Sequence, residues 1–125
     1  MPTIYVSRYG NSNQLKLRDS EGHNPGNDNL TTDVNAGDSV TWQLDTNSGL
    51  SSIASVSQVT SSDPSYNPAS QNLLASAPTS TNGVFSATVV SPSPGVGKFE
   101  NYKIGFTVPG DSTVYYDDPK LRMNN

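Results

Sequence analysis

The 125-residue chain contains no cysteine and a single histidine, His23. Without cysteine there are no disulfides and no thiolate ligands, and one imidazole cannot complete a zinc or type-1 copper site. His23 lies in the polar segment Gly22-His23-Asn24-Pro25-Gly26, where we expect an exposed loop residue. These absences exclude the metal centres that depend on sulfur or on several nitrogen ligands.

Long apolar runs are also absent. No stretch approaches the ~20 residues that span a bilayer. Met1-Pro2 leads directly into Thr3-Ile4-Tyr5-Val6, without the basic and apolar regions of a signal peptide. The sequence therefore predicts a soluble, cytoplasmic protein that does not bind membranes.

Charge is sparse, since only 14% of the residues are charged and the net charge is −4. An acidic surface repels phosphate backbones, and the seven Lys and Arg residues form no basic stripe. We therefore expect no nucleic-acid partner. Glutamate is also scarce, with Glu21 and Glu100 alone, and most Asp residues fall in turns that explain them. The composition thus favours a protein that is not an enzyme.

The chain is rich instead in Ser, Thr and Asn, which compete with the helical backbone for hydrogen bonds and suit strands joined by turns. Two runs alternate apolar and polar residues as half-buried strands do. The apolar positions of these runs are Val40, Trp42 and Leu44 in the first and Tyr102, Ile104, Phe106 and Val108 in the second. We expect Gly37 to form the turn before the first run, and Trp42 and Phe106 to meet in the core.

Short strands with frequent turn signals predict one domain over residues 1–125, an antiparallel β-sandwich (Ig-like or jelly-roll-like) of about eight strands. Leu30 to Val34 is predicted to pair with the Trp42 strand as a hairpin through residues 35–38. Ile53 to Val59 is a further strand, although its apolar spacing of three fits no regular period. Residues 60–82 form a long loop, which in compact domains is often functional, with a single helical turn at 72–75.

Two oxygen-rich clusters are candidates for calcium, which takes six to eight oxygen ligands. The first contains Asn24, Asn27, Asp28 and Asn29, and the second is Asp117 with Asp118. Ordinary turn chemistry also demands these residue types, and neither cluster has EF-hand spacing. Calcium is therefore a candidate cofactor, and a polar loop is the alternative at each cluster.

Carbohydrate is the candidate partner, because sugar sites combine an aromatic platform with Asp and Asn acceptors. Tyr116 beside Asp117 and Asp118 is the best local combination, and Asn27 and Asp28 are further candidate ligand-binding residues. Trp42 is expected in the core rather than at such a platform, because it lies in the middle of an apolar strand face.

Two motifs resemble the AidA/PixA family of bacterial inclusion-body proteins. One is Asn29-Leu30 followed by Ala36-Gly37-Asp38-Ser39-Val40-Thr41-Trp42. The other is Tyr102-x-Ile104-x-Phe106 followed by Tyr116-x-Asp118-Pro119-x-Leu121. The motifs cover about a third of the chain, and residues 48–97 do not match. The resemblance implies a cytoplasmic, non-enzymatic β-sandwich that accumulates or self-associates, with carbohydrate binding as a further implied activity. It also implies structural roles for Gly37 and Trp42, and for Asp118-Pro119 in ending strand pairing.

Three functional hypotheses follow. The first is a non-enzymatic module that binds a ligand or assembles into homo-oligomers. The second is a calcium-dependent, lectin-like carbohydrate-binding protein. The third is a glycan hydrolase, which would require two carboxylates facing each other across a cleft.

Overall fold

The computed structural model describes residues 2–64 and 66–125, and all regular structure in these residues is β-strand. The ten strands are β1 (Thr3–Arg8), β2 (Leu15–Asp19), β3 (Thr31–Val34), β4 (Ser39–Leu44), β5 (Ser52–Gln58), β6 (Thr79–Thr81), β7 (Val84–Thr88), β8 (Phe99–Thr107), β9 (Tyr115–Asp117) and β10 (Lys120–Met123). The described residues contain no helix long and apolar enough to cross a bilayer.

The strands form two sheets packed face to face, which confirms the predicted all-β sandwich. The first sheet has the order β2-β1-β4-β7-β6, and the second has the order β3-β10-β8-β5, with β9 also paired to β8. The prediction of about eight strands was too low, because short strands such as β6 are hard to find from sequence. All three residues of β6 are exposed and none is apolar, so the sequence carries no alternation there.

The sheets are mixed rather than purely antiparallel, which corrects the predicted pairing. β1 pairs with β4 in parallel, and β3 pairs with β10 in parallel. A parallel partner cannot be reached through a tight turn, so it comes from a distant part of the chain. Alternation in one strand does not identify such a partner.

The predicted β3–β4 hairpin is wrong, since the two strands lie in different sheets. Gly37 forms the expected turn with a φ of +82°, a conformation that favours glycine. The turn, however, carries the chain from one sheet to the other. Gly37 N–H donates to the carbonyl of Val89 at 3.2 Å, and Val89 N–H donates to the carbonyl of Asp38 at 2.7 Å. The alternation of inward-facing residues is the same whether a turn joins two strands of one sheet or carries the chain to the other sheet. The sequence pattern therefore does not distinguish the two arrangements.

The sandwich core is centred on one aromatic pair that joins the two sheets. Trp42 of β4 and Tyr102 of β8 are both fully buried, with ring centroids 5.5 Å apart and planes at 67°. Trp42 Nε1–H donates to the Tyr102 hydroxyl at 3.0 Å. Phe106 is also fully buried. The predicted meeting of the two apolar faces is confirmed.

The two remaining predictions concern β5 and residues 72–75, which both have irregular backbone pairing. β5 is a strand as predicted, and a register shift between Ile53 and Ser55 against β8 accounts for its apolar spacing of three. The helical turn predicted at 72–75 is wrong, because Leu74 forms an isolated β-bridge to Val89 instead. Leu73 and Leu74 are both buried, so this segment closes one side of the core.

The Trp42–Tyr102 hydrogen bond gives a first test. Trp42→Phe leaves a cavity and a buried hydroxyl without its donor, which should lower the free energy of unfolding by about 2–4 kcal/mol. Tyr102→Phe leaves the indole N–H unpaired and should cost about 1–3 kcal/mol. Because the double variant loses the same hydrogen bond only once, its cost should fall about 1 kcal/mol short of the sum. Urea unfolding followed by circular dichroism measures all three, and strict additivity would contradict a direct interaction.

Candidate functional site

The Tyr116–Pro119 segment leaves β9 and enters β10, and its side chains alternate in exposure. Tyr116 and Asp118 are exposed, whereas Asp117 and Pro119 are buried. The period of two in extended backbone therefore separates Asp117 from the two residues it was predicted to join. Pro119 lies between the two strands, in keeping with its expected role in ending the pairing of β9.

Tyr116 and Asp118 line a depression of about 410 Å³ on the outer face of the second sheet, which we call the Tyr116 groove. The other lining residues are Asp63, Pro64 and Lys103. Asp63 and Pro64 come from the long loop after β5, and Lys103 comes from the middle of β8. The groove thus collects residues from three separate stretches of the chain.

Tyr116 rests against Gly105, which lies opposite it in β8. A Cβ at position 105 would come within 2.9 Å of Tyr116 Cε1 and 2.5 Å of Ser55 Oγ, so only glycine lets the ring approach the sheet this closely. The Tyr116 side chain nevertheless remains 55% exposed. The ring edge at Cε1 therefore packs against the sheet, while more than half of the residue's surface remains accessible to a ligand.

The polar groups of the groove are held in place by hydrogen bonds. Asp63 accepts from Thr60 N–H at 2.6 Å and from Lys103 Nζ at 2.9 Å. These bonds, with that of Thr60 N–H the strongest, lower the pKa of Asp63 to about 2. Lys103 Nζ also lies 5.4 Å from the centroid of the Tyr116 ring, within range of a cation–π interaction. The groove therefore presents an aromatic ring beside a fixed carboxylate and a fixed ammonium group.

Sequence reasoning missed Asp63 and Lys103. The two residues are 40 positions apart, and Asp63 resembles any other turn aspartate. Lys103 did carry a weak signal, because it occupies an outward position between Tyr102 and Ile104 in the alternating run. Nothing local indicated which outward residues would share a surface with Tyr116.

Asp117 instead points inward, and there it meets Asp28 from the other predicted calcium cluster. Asp117 Oδ2 accepts Leu15 N–H at 2.7 Å. Burial raises the pKa of Asp117 to about 6, with smaller contributions from the charge and hydrogen bond of Asp28 and from the charge of Asp118. The structure thus brings one carboxylate of each cluster together.

The other candidate ligands do not join this pair. Asn27 Oδ1 accepts Asn29 N–H at 2.9 Å, which is an ordinary Asx turn. Asn24 lines a separate depression of about 350 Å³ with His23 and Arg122. Asn29 lines that depression as well. Asp118 is on the outer face, so Asp28 and Asp117 are the two carboxylates that the described residues bring together among the candidate calcium ligands. Two carboxylates are far fewer than the six to eight oxygens that calcium takes.

His23 is not simply solvated, which corrects the expectation for it. Its Nδ1 lies 2.8 Å from Asp19 Oδ2, and its Nε2 lies 3.9 Å from Asp33 Oδ2. The hydrogen bond to Asp19 is the main reason that the pKa of His23 is raised. Asp19, Glu21 and His23 form the one group within the described ranges that has three metal-ligand side chains within 4.8 Å of one another.

The hydrogen bonds of Asp19 explain this cluster without a metal. Asp19 accepts the backbone N–H groups of Glu21 and His23, each at 3.0 Å, as well as Thr32 Oγ1–H at 2.7 Å. Both carboxylate oxygens are therefore occupied. The cluster fastens the loop after β2 to β3, and we assign it a structural role.

Comparison with models of known protein families and with curated proteins gives no match. The resemblance to the AidA/PixA family therefore stays a prediction that depends on two motifs.

The Asp117–Asp28 pair predicts an unusual dependence of stability on pH. The native pKa of Asp117, about 6, lies above its ordinary value of 3.8. Its contribution to stability is therefore present below pH 3.8 and is lost as the pH rises through about 6. Asp117→Asn keeps an acceptor for Leu15 N–H and does not ionise. We expect its free energy of unfolding, relative to the natural protein, to increase between pH 4 and 7 by on the order of 2 kcal/mol.

Urea unfolding at several pH values measures this difference. Asp118→Asn is the comparison variant, because Asp118 is exposed and its charge is the smallest contribution to the pKa of Asp117, so its difference should depend much less on pH. A pH-independent difference for Asp117→Asn would contradict the assignment. The same variants also test calcium. If Asp28 and Asp117 hold the ion, 10 mM Ca²⁺ should stabilise the natural protein at pH 7 and should not stabilise Asp117→Asn.

Proposed function

We propose that this protein is a non-enzymatic binding module that holds carbohydrate in the Tyr116 groove. The observation that carries the proposal is the half-exposed Tyr116 ring, seated on Gly105 and flanked by Lys103 and Asp118. An exposed ring of this kind offers an apolar face to the C–H groups of a sugar. A tyrosine side chain has only two torsion angles to fix, so little conformational entropy is lost when a ligand stacks on it.

The polar groups around the ring match the other half of a sugar's chemistry. Hydroxyl groups both donate and accept hydrogen bonds, Asp63 and Asp118 accept, and Lys103 donates. Because Asp63 and Lys103 already hold each other at 2.9 Å, their orientation is set before a ligand arrives. A volume of about 410 Å³ is within the range of small-molecule sites.

The state of Asp63 favours binding over hydrolysis. A glycosidase needs one carboxylic acid that is protonated near neutral pH to release the leaving oxygen. Asp63 has its pKa lowered to about 2 and is bound to Thr60 and Lys103, so it stays ionised. Asp63 therefore cannot supply the protonated acid that the glycan hydrolase hypothesis requires.

Substitution of Tyr116 tests the proposal. A panel of soluble polysaccharides, including xylan, mixed-linkage glucan, mannan and galactan, is screened by affinity gel electrophoresis. At least one should retard the natural protein, and Tyr116→Ala should weaken that binding at least tenfold, equivalent to about 1.4 kcal/mol. Tyr116→Phe retains the ring and should bind within about threefold of the natural protein, because most of the stacking surface remains.

Tyr9→Ala is the matched control, because Tyr9 is similarly exposed at 48% but does not line the groove. Circular dichroism confirms that each variant is folded. Equal binding by Tyr116→Ala and the natural protein would contradict the assignment of the binding site to the Tyr116 groove. Failure of every polysaccharide to retard the natural protein would remove carbohydrate.

A second candidate function is self-association, which is favoured by the edge strand β5. β5 lies at one edge of the second sheet, and its seven residues include no charged residue and no proline. Natural edge strands are commonly protected by one or the other, since unpaired backbone groups otherwise accept a strand from a second copy. The bulge between Ile53 and Ser55 is the one protective feature in β5.

Self-association through β5 predicts concentration-dependent oligomers in light scattering. Ala54→Lys places a charge at an exposed position of β5 and should reduce the oligomer fraction several-fold. Ser80→Lys is the matched control, because it adds the same charge to β6, the three-residue edge of the other sheet. A monomer at every concentration, or an equal effect of both substitutions, would contradict this function.

A further inference from the structure

Glu100 is a buried carboxyl group that the Tyr116 groove does not use. It lies in β8 two residues before Tyr102 and is only 1% exposed. Leu73 N–H donates to its Oε1 at 2.7 Å. No described Lys, Arg or His forms an ion pair with it, and its second oxygen has no donor among the described residues. Burial is the main reason that the pKa of Glu100 is raised, to about 7.

A carboxyl group in this position is costly if it serves the fold alone. Burying a charge without a partner disfavours folding, and a leucine or methionine would fill similar space without that cost. Tyr102, Ile104 and Phe106, which follow Glu100 on the same face of β8, are aromatic or aliphatic. Buried, unpaired carboxyl groups that line a cavity are characteristic of ligand sites.

Glu100 lines such a cavity, which has a volume of about 120 Å³. The cavity lies between the end of β5 and the segment 72–78. Leu74, Ala77 and Pro78 supply apolar wall, and the remaining lining residues are uncharged and polar, namely Ser57, Gln58, Asn72 and Ser76. Neither β5 nor the segment 72–78 contains a charged residue. The residue paired with Glu100 in β10 is Leu121, which is apolar. In β8 itself, the nearby titratable group is Tyr102, and the charge of Glu100 contributes to raising its pKa. The walls therefore provide no compensating cation.

We propose that this cavity binds a small primary ammonium ion with a short aliphatic body. The ammonium group would donate to the free oxygen of Glu100 and neutralise the buried charge, while Leu74, Ala77 and Pro78 contact the hydrocarbon. Because an apolar cavity of about 150 Å³ can hold benzene, a volume of about 120 Å³ suits a ligand of about four to six non-hydrogen atoms. A divalent metal fits poorly, because it requires several oxygen ligands and the cavity has a single carboxylate.

Selective labelling makes the test direct, because Glu21 and Glu100 are the only glutamates in the chain. The full chain is labelled with ¹³C at the glutamate carboxyl carbons and titrated with n-butylammonium chloride at pH 8 and constant ionic strength. The Glu100 signal should shift saturably with a dissociation constant in the millimolar range, whereas the Glu21 signal should stay in place. In saturating amine, the titration midpoint of Glu100 should fall below its value in the free protein, because the cation favours the carboxylate.

Two controls separate charge recognition from apolar filling. 1-Butanol has the same aliphatic body without the charge, and it should bind at least tenfold more weakly. Glu100→Gln keeps an acceptor for Leu73 N–H and should reduce amine affinity at least tenfold, measured by calorimetry. The proposal is overturned if 50 mM n-butylammonium leaves the Glu100 signal unmoved, if butanol shifts it equally, or if Glu100→Gln binds the amine as tightly. If Glu100→Gln does not fold, the carboxyl titration of the natural protein and the butanol comparison decide.

Discussion

The contact between Trp42 and Tyr102 is the interaction on which the two-sheet arrangement depends. Each ring comes from the inner face of a different sheet, and both are fully buried. The hydrogen bond of 3.0 Å satisfies the indole N–H, which would otherwise be an expensive polar group in an apolar core. The hydrogen bond and the ring contact together constrain how β4 is placed relative to β8. The register of β8 in turn places Glu100 inward and Lys103 and Gly105 outward, so both proposed sites follow from it.

Much of the core could be predicted from the sequence, because alternation reports directly which side chains face inward. Trp42 and Phe106 were identified in this way. Glu100 could have been found by the same rule, since it lies two residues before Tyr102 and therefore shares its face. A carboxylate at an inward position breaks the apolar pattern, however, and such a break is easily taken for the end of the strand.

Neighbour relations between strands could not be predicted, and the reason is physical. A turn specifies only that the chain changes direction, whereas the choice of partner depends on the whole inner surface. β3 illustrates this, because it follows the pattern of a hairpin with β4 yet pairs with β10 at the other end of the chain. The full set of residues that line the Tyr116 groove could not be predicted for the same reason. Tyr116 and Asp118 were visible as a local pair, but Asp63 reaches them only through its bond with Lys103.

Two of the buried acidic residues, Asp19 and Glu100, differ in how their oxygens are satisfied, and the difference bears on their roles. Asp19 accepts four hydrogen bonds, from two backbone N–H groups, His23 and Thr32. A carboxylate held in this way stabilises the fold, because each oxygen recovers the bonds it made to water. Glu100 accepts one bond, from Leu73, and otherwise faces a cavity whose lining contains no cationic side chain.

If Glu100 served the same purpose as Asp19, the fold would have surrounded it with donors, as it does around Asp19 only a few strands away. Instead, the segment 72–78 gives it a single N–H, while Leu74, Ala77 and Pro78 of the same segment line the cavity with apolar surface. A site that combines one desolvated carboxylate with a largely apolar wall and no cationic side chain is complementary to a cation on a hydrocarbon body. The contrast between the two residues is therefore the strongest reason to assign Glu100 to a ligand rather than to the core.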